Sequence, residues 1–331
     1  MVPRRSYVSC RRCVLLSQTL IMELKSFVSE SWDYLRFAQL QEKMLSDEPL
    51  FPLGMRANWA RRRNQFYLKK EKLWALLFSR NAKKVLFSGN PDWTDKIKSG
   101  FRRLPHQVEV GSITEDSFRR YDVVVPLSIS ALTEARRLSP LQKNALPLPT
   151  AKSVSLCDDK YEFNQALVKA GFGQYIPKIA QGLALTPPYI LKKRIGWYGT
   201  DCYIIRNHGD EEAQLDRITD PEYFCQELIP GSTEFATHVL FVGGKIVKAL
   251  NIRYRFPIDT PIKGQDAVHF MVICRCPYLD LFARVLRTIQ FEGLCCFNYK
   301  VVEGQPFLLE INPRFGGSLA PYFFSFIRHL R

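Results

Sequence analysis

Between Leu24 and Leu45 the apolar residues Phe27, Leu35, Leu40 and Met44 recur at helical spacing among polar neighbours, which predicts an amphipathic helix. Asp47-Glu48-Pro49 ends it, because proline disfavours helical geometry in the residue before it. A second helix is expected over Trp59–Phe78, with Arg61-Arg62-Arg63 as a solvated, charged face. The period then shortens. Lys84–Gly89, Gln107–Val110 and Tyr121–Pro126 read as short buried strands with helical stretches between and after them. That alternation predicts a parallel α/β layer.

Ser139–Thr150 carries Pro140, Pro147 and Pro149 and reads as a linker. Asp158-Asp159-Lys160 then opens a helix with Phe163, Leu167 and Ala170 on one face, stopped by Gly171. Strands follow at Tyr189–Lys192, Cys202–Ile205, Tyr223–Ile229, Glu234–Val242, Lys245–Arg255 and Val268–Arg275. A helix over Tyr278–Phe291 leads to a hairpin, Leu294–Val302 and Phe307–Ile311, whose turn is Glu303-Gly304-Gln305-Pro306. Ala320–Leu330 has room for about three turns of helix. The expected organisation is a disordered leader (1–22), a helical extension (23–80), a small α/β domain (81–150) and a larger body (151–331) whose two lobes divide near 230.

Composition narrows the class. Hydrophobic residues are 46% and charged residues 24% of 331, enough apolar material to bury a core, so intrinsic disorder is excluded. No apolar run reaches the ~20 residues of a membrane span. The net charge is +15, and residues 1–75 supply +7 of it, 14 Lys/Arg against 7 Asp/Glu. This favours anionic partners without choosing among them. The apolar spacing between Phe27 and Met44 makes the basic quarter mainly structural in expectation. The nine cysteines, with a CxxC at Cys10/Cys13 and a CxC at Cys274/Cys276, lack a second zinc-ligand pair. Free thiols in a cytoplasmic protein are the expectation. The five histidines form no recognisable pair or triad.

Chemistry concentrates where the last hairpin ends, at Glu310-Ile311-Asn312-Pro313-Arg314. Glu310 and Asn312 share a strand face, because side chains alternate with a period of two, and Asn298 on the paired strand can share it. Three oxygen-bearing side chains suit Mg²⁺, a hard ion that also keeps waters and substrate phosphates. Pro313 stops the strand, and Arg314 can turn its planar fork on phosphate or carboxylate oxygens. No GxGxxG follows a strand and no GxxxxGK[ST] occurs.

From about Ala151 to Ser318 the chain resembles the ATP-grasp superfamily, particularly its carboxylate–amine ligase branch and the carbamoyl phosphate synthetase large chain. Glu310–Ser318 looks like the C-terminal signature, in which the Glu and Asn bind Mg²⁺ (or Mn²⁺) and the Arg contacts phosphate. Pro188–Lys192 resembles the strand whose final basic residue grips phosphates, and Gly196–Gly199 the loop that closes over them. Glu227–Glu234 resembles the adenine hinge. Glu227, Leu228 and Ile229 would lie against adenine, and Glu234 would hold the ribose hydroxyls. Lys160 matches an earlier basic phosphate contact. Arg253 and Arg255 fall in the strand that borders the acceptor pocket in the family, and are expected to bind a substrate carboxylate or an acyl phosphate. The position of Asn298 is usually acidic or Gln.

The resemblance implies an α/β ATP-grasp fold preceded by a small parallel α/β domain and a helical extension. It implies ATP and Mg²⁺ as cofactors and an acyl-phosphate route from a small carboxylate and an amine, an amino acid or short peptide, to an amide. Arg314, Lys192, Arg253 and Arg255 would act in catalysis. The alternatives are a catalytically silent nucleotide-binding regulator and an ATP-grasp small-molecule kinase. No RNA-binding motif makes nucleic acid an expected partner, and no membrane partner is expected. Self-association is left open.

Overall fold

The computed structural model describes residues 52–78, 82–138, 144–197 and 199–330. The helix expected over Leu24–Leu45 and the Cys10/Cys13 pair lie outside the described residues. Helix α1 (Leu53–Phe78) precedes strand β1 (Lys84–Ser88), helix α2 (Pro91–Phe101), β2 (Gln107–Gly111), α3 (Ser117–Arg120), β3 (Val123–Val125) and α4 (Ile129–Leu138). The three strands form a parallel sheet in the order β2-β1-β3, as the alternation predicts. Val85, Leu86 and Phe87 are buried in its central strand, as expected for a parallel strand covered on both faces.

Helices α5 (Ala151–Asp158) and α6 (Lys160–Leu167) come next. The sequence reading has one helix opening at Asp158–Lys160, whereas the structure has two meeting there. The first is capped by Thr150, which accepts from the Ser153 N–H, and Asp159 caps the second through Tyr161 and Glu162. Gly171, at φ +86°, ends the turn that continues α6. A four-stranded antiparallel sheet follows, built from β4 (Ile179–Ala180), β5 (Tyr189–Lys193), β6 (Cys202–Ile205) and β7 (Tyr223–Glu227) in the order β4-β7-β5-β6. The short helices α7 (His208–Ala213) and α8 (Leu215–Thr219) join β6 to β7.

The largest sheet is antiparallel. It comprises β8 (Thr233–Val242), β9 (Lys245–Arg255), β10 (Phe270–Cys274), β11 (Gly293–Val302) and β12 (Gln305–Asn312), ordered β10-β9-β8-β11-β12, with helix α9 (Leu279–Thr288) between β10 and β11. Its two faces serve two cores. Val239, Cys295, Phe297, Tyr299 and Ile311 pack with Phe163 of α6 and Phe282 of α9, and Phe282 stacks on Phe297 at 4.2 Å. Ala236, Leu250, Ile252, Tyr254 and Cys296 on the other face join Phe87, Trp93 and Phe101 of the parallel layer and Phe315, Leu319 and Phe323 of the tail.

Two details differ from expectation. Pro306 lies inside β12 opposite Val301 rather than in the turn, and the turn is Glu303-Gly304, both at positive φ. A proline fits there because β12 is an edge strand. The tail is a series of tight turns around one short helix, α10 (Phe324–Ile327), instead of about three helical turns. Its aromatic residues reach the core only by turning repeatedly.

The long helix α1 holds the opposite edge of the large sheet. The Asn64 amide donates to the Met271 carbonyl at 2.8 Å and accepts from the Ile273 N–H at 2.8 Å, taking the place of a neighbouring strand on β10. Buried Glu71 pairs with Lys248 of β9 at 3.0 Å and with Arg328 of the tail at 3.4 Å. Removing one partner of a buried ion pair strands the others, so Glu71→Ala should lower stability by about 3 kcal/mol. Denaturant unfolding of the two proteins checks this. An unchanged midpoint would mean that this ion pair adds nothing to the docking of the helix.

Candidate active site

A cleft of about 610 Å³ runs between the four-stranded and five-stranded sheets and onto the parallel layer. Its position follows from chain direction. Strand β5 delivers Lys192 from one side, β12 delivers Glu310 and Asn312 from the other, and the α5–α6 junction places Lys160 between them. Asp159 fixes that junction. While capping α6 it accepts from Arg194, at the end of β5, with the shortest contact at 2.6 Å. The Lys160 N–H also donates to the Arg194 carbonyl at 3.0 Å.

Glu310 is the centre. Asn298 faces it across the β11–β12 register and donates from Nδ2 to Oε1 at 2.6 Å; Asn312 Nδ2 donates to the same oxygen at 3.0 Å. Lys160 Nζ stands 3.6 Å from Oε2 and donates to the Gly196 carbonyl at 2.7 Å. Burial raises the Glu310 pKa, but Lys160, Lys263, the Asn298 bond and Lys192 override it and hold the carboxyl at about 2. Buried Lys192 donates to Gln226 Oε1 at 2.6 Å, and burial pushes its pKa down. Arg314 is half-buried beside the cleft and donates to the Phe315 carbonyl at 3.0 Å.

Twelve of the fourteen residues named from sequence line this one cleft: Lys160, Lys192, Gly196, Gly199, Glu227, Leu228, Ile229, Glu234, Asn298, Glu310, Asn312 and Arg314. Arg253 and Arg255 do not. Ile252 and Tyr254 line the cleft, and alternation along β9 sends the two arginines to the opposite face of the sheet. Arg255 donates there to Thr233 Oγ1 at 3.3 Å. The expectation that either arginine borders the acceptor pocket is therefore corrected.

Several lining residues escape sequence reasoning. Lys300 donates to the Ile229 carbonyl at 2.8 Å, pinning the segment after β7, and burial pushes its pKa down to about 8. His238 shares a hydrogen bond with Ser318 Oγ at 2.8 Å, so one histidine does have a partner within the cleft. Burial first, then Lys263, pushes His238 down to about 3 and keeps it neutral. A signal for both was available, since Lys300 is two residues after Asn298 and His238 four after Glu234, on the same strand faces. Lys263, in the loop after β9, offers no such signal. Its Nζ donates to Glu234 Oε1 at 2.7 Å and to Asn298 Oδ1 at 2.8 Å.

These contacts test a metal site. Glu310 and Asn312 are oxygen donors of the kind a hard cation takes, once the Asn312 amide turns its oxygen inward. Asn298 does not complete a second position, because its oxygen already serves an ammonium group. Among the described residues, no group of three His, Cys, Asp or Glu side chains could hold a metal ion.

No protein-family model and no curated protein matches the sequence. Solved structures do match the fold. Biotin carboxylase from Campylobacter jejuni, in a β,γ-ATP complex, is 11% identical over 76% of this chain and 71% of its own, with a TM-score of 0.51. D-alanine–D-alanine ligase from Bacillus anthracis is 13% identical over 72% and 89%, with a TM-score of 0.50. L-amino acid ligase from Bacillus licheniformis is 15% identical over 75% and 70%, with a TM-score of 0.50. The chain has the ATP-grasp fold.

The Glu310 carboxyl is depressed from 4.5 to about 2, so it contributes stability above pH 4.5 that is lost as pH falls through 2. Over that window the contribution is about 3 kcal/mol, at about 1.4 kcal/mol per unit. Chemical unfolding between pH 5 and 2.5 should show a shallower acid loss for Glu310→Gln than for the parent. Parallel curves would mean that this carboxyl is not the group being titrated.

Proposed function

We propose that the chain is an ATP-dependent carboxylate–amine ligase. The observation that carries this reading is the convergence of Lys160 and Lys192 on Glu310, with Arg314 lining the same cleft, whose other end is the pinned segment Glu227–Ile229. Cations set at the meeting of two lobes suit a triphosphate. An apolar slot beside exposed backbone suits a base.

In this reading adenine lies along Glu227, Leu228 and Ile229, and Lys300 holds the slot in shape through the Ile229 carbonyl. Glu234 takes the ribose hydroxyls. Lys160 and Lys192 bind the phosphates from the side of α6 and β5, and the loop Gly196–Gly199 lies over them. Lys160 reports the closure of that loop because it bonds to the Gly196 carbonyl. Glu310 and Asn312 would hold one Mg²⁺, or Mn²⁺, which when bound screens charge between the phosphates.

A substrate carboxylate attacks the γ-phosphate. The new C–O–P linkage is an acyl phosphate, and ADP leaves. An amine then displaces inorganic phosphate and leaves an amide. Arg314 steadies negative charge on the transferred group. The protein's contribution is position and fixed charge rather than a nucleophile of its own. His238 is not the base for the amine, because a useful base has a pKa near the working pH and this one is held at about 3. An amino acid or short peptide is the substrate class that this reading favours.

One observation favours a second reading. The single carboxylate at the metal position already receives two amide donors and faces a lysine, an arrangement that also suits a nucleotide-binding regulator without turnover. A small-molecule kinase would use the same half-reaction without the amine. ADP release with pooled amino acids separates the three. A ligase needs both carboxylate and amine for full turnover, a kinase needs only the acceptor, and a regulator releases none. For the ligase, Glu310→Ala should cut ADP release about 100-fold or more while the protein still folds. Undiminished turnover in that variant would exclude Glu310 from the reaction.

Glu234 offers a separate check. Ribose contacts are alike in ground and transition states, so Glu234→Gln should raise the KM for ATP by about tenfold and leave kcat within a few-fold. A change confined to kcat would move Glu234 from the ribose to the reacting phosphate.

A further inference from the structure

The resemblance to ATP-grasp enzymes predicts an acidic or Gln side chain at position 298, and the chain has a neutral asparagine. The structure puts a cation beside it. Lys263 Nζ is 2.8 Å from Asn298 Oδ1 and 2.7 Å from Glu234 Oε1, and Asn298 passes the contact on to Glu310 at 2.6 Å. The Tyr254 ring lies beneath the ammonium, 4.9 Å from its centroid. Lys263 is thus gripped by a carboxylate, an amide oxygen and an aromatic face, in the space between the ribose-side and phosphate-side residues. We propose that Lys263 supplies there the positive charge that a divalent ion on residue 298 would supply, so that this chain binds ATP with a reduced divalent-cation requirement. The inference rests on the nucleotide reading above.

Three features carry it. The first is the donor set. Asn298 points its oxygen at Lys263 and its nitrogen at Glu310, so an ammonium stands 2.8 Å from the oxygen that would have to ligate a metal. The second is charge. Around the phosphate end stand Lys160, Lys192, Lys263 and Arg314 against Glu234, Glu310 and, beside Lys160, Asp158. Four cations against three carboxylates leave a net positive charge before any metal binds, which favours a polyphosphate. An ammonium has three donors, and Glu234 and Asn298 use two, which leaves capacity for a phosphate oxygen.

The third feature is delivery. Residues 261–266 form a turn in which the Ile262 N–H donates to Asp266 Oδ2 at 2.6 Å and the Asp266 N–H donates to the Ile262 carbonyl at 3.0 Å. Gln265 Nε2 donates from that turn to the Cys202 carbonyl at 2.9 Å and to the Gly199 carbonyl. A Cβ on Gly199 would come within 2.8 Å of the Lys263 carbonyl and of the Ile262 side chain, so the two loops fit only because residue 199 is a glycine. Lys263 is therefore carried by the same pair of loops that covers the phosphate end. A lysine held this way brings its charge with the protein, where a metal must be recruited from solution.

Calorimetric titration of ATP, with Mg²⁺ and with EDTA, tests this on the full chain. The parent should bind ATP in EDTA within about tenfold of its affinity in Mg²⁺. Lys263→Met should weaken binding in EDTA by about tenfold or more beyond its effect in Mg²⁺, and Lys263→Arg should restore most of it. Asn298→Asp adds the missing carboxylate and should make binding more dependent on Mg²⁺. Should Lys263→Met fail to fold, as melting curves would show, Lys263→Arg and Asn298→Asp decide the matter. A parent that binds ATP only with Mg²⁺, and whose Mg²⁺ dependence is unchanged in these variants, overturns this inference and leaves the nucleotide reading standing. A parent that binds ATP in neither condition overturns both.

Discussion

One half-buried carboxylate organises this molecule. Glu310 is supplied by an edge strand, Lys160 by the first turn of a helix about 150 residues earlier, and Lys263, through Asn298, by a loop between two strands of the largest sheet. Each charge alone would be costly in a half-buried cleft. Together they offset one another, and the offset works only if both lobes and the loop are in place. The depressed Glu310 pKa is the measure of that dependence, since burial alone would have raised it.

The constraint spreads outward through backbone contacts. Lys160 is positioned by the cap at Asp159, and Asp159 is held by Arg194, which follows the strand that carries Lys192. Lys160 and Lys192 are thus tied together by one ion pair two residues past Lys192. Lys300 does the same for the far end of the cleft by holding the Ile229 carbonyl. The cleft is consequently shaped by side chains that reach back to main chain. Its geometry survives changes in exposed loops better than changes at Asp159 or Lys300.

Much of this is legible in the sequence. The shared face of Glu310 and Asn312 follows from a period of two, but Asn298 joins them only through a register shift between Asn298 and Tyr299, since an unbroken ladder from the turn would set Asn298 opposite Leu309. The hinge and the glycine loop follow from resemblance. Arg253 and Arg255 mark where legibility ends. The turn Gly243-Gly244 pairs Val242 with Lys245, and an unbroken ladder from there would set Arg253 opposite Glu234. A bulge between Leu240 and Phe241 slips the register by one, so Tyr254 stands opposite Glu234 instead, and both arginines turn to the other face. One inserted residue reverses the parity of a whole strand, and no residue type announces it here. Lys263 is hidden for a different reason. It sits in a loop with no period, and its partners are 29 and 35 residues away.

The two ends of the cleft are built from different parts of the chain. Ile190, Lys192, Gly196, Gly199, Cys202 and residues 226–229 come from the four-stranded sheet and the segments beside it, and they form the nucleotide end in our reading. The other end takes Asn64 from α1, Trp93 and Lys96 from α2, Met271 and Ile273 from β10, and Tyr322 from the tail. Asn64 does two things there: it lines the cleft, and it bonds the edge of β10 in place of another strand. The helix that stabilises the sheet edge therefore also shapes this end of the cleft. A change in how α1 docks would alter that end more directly than Glu310, Lys160 and Lys192, because these belong to β12, α6 and β5. In the ligase reading, selectivity for the second substrate could then vary through α1 and α2 with less effect on Lys160, Lys192 and Glu310. Helix α1, whose Arg61-Arg62-Arg63 run is read from sequence as a solvated face, thus also contributes Asn64 to the cleft wall.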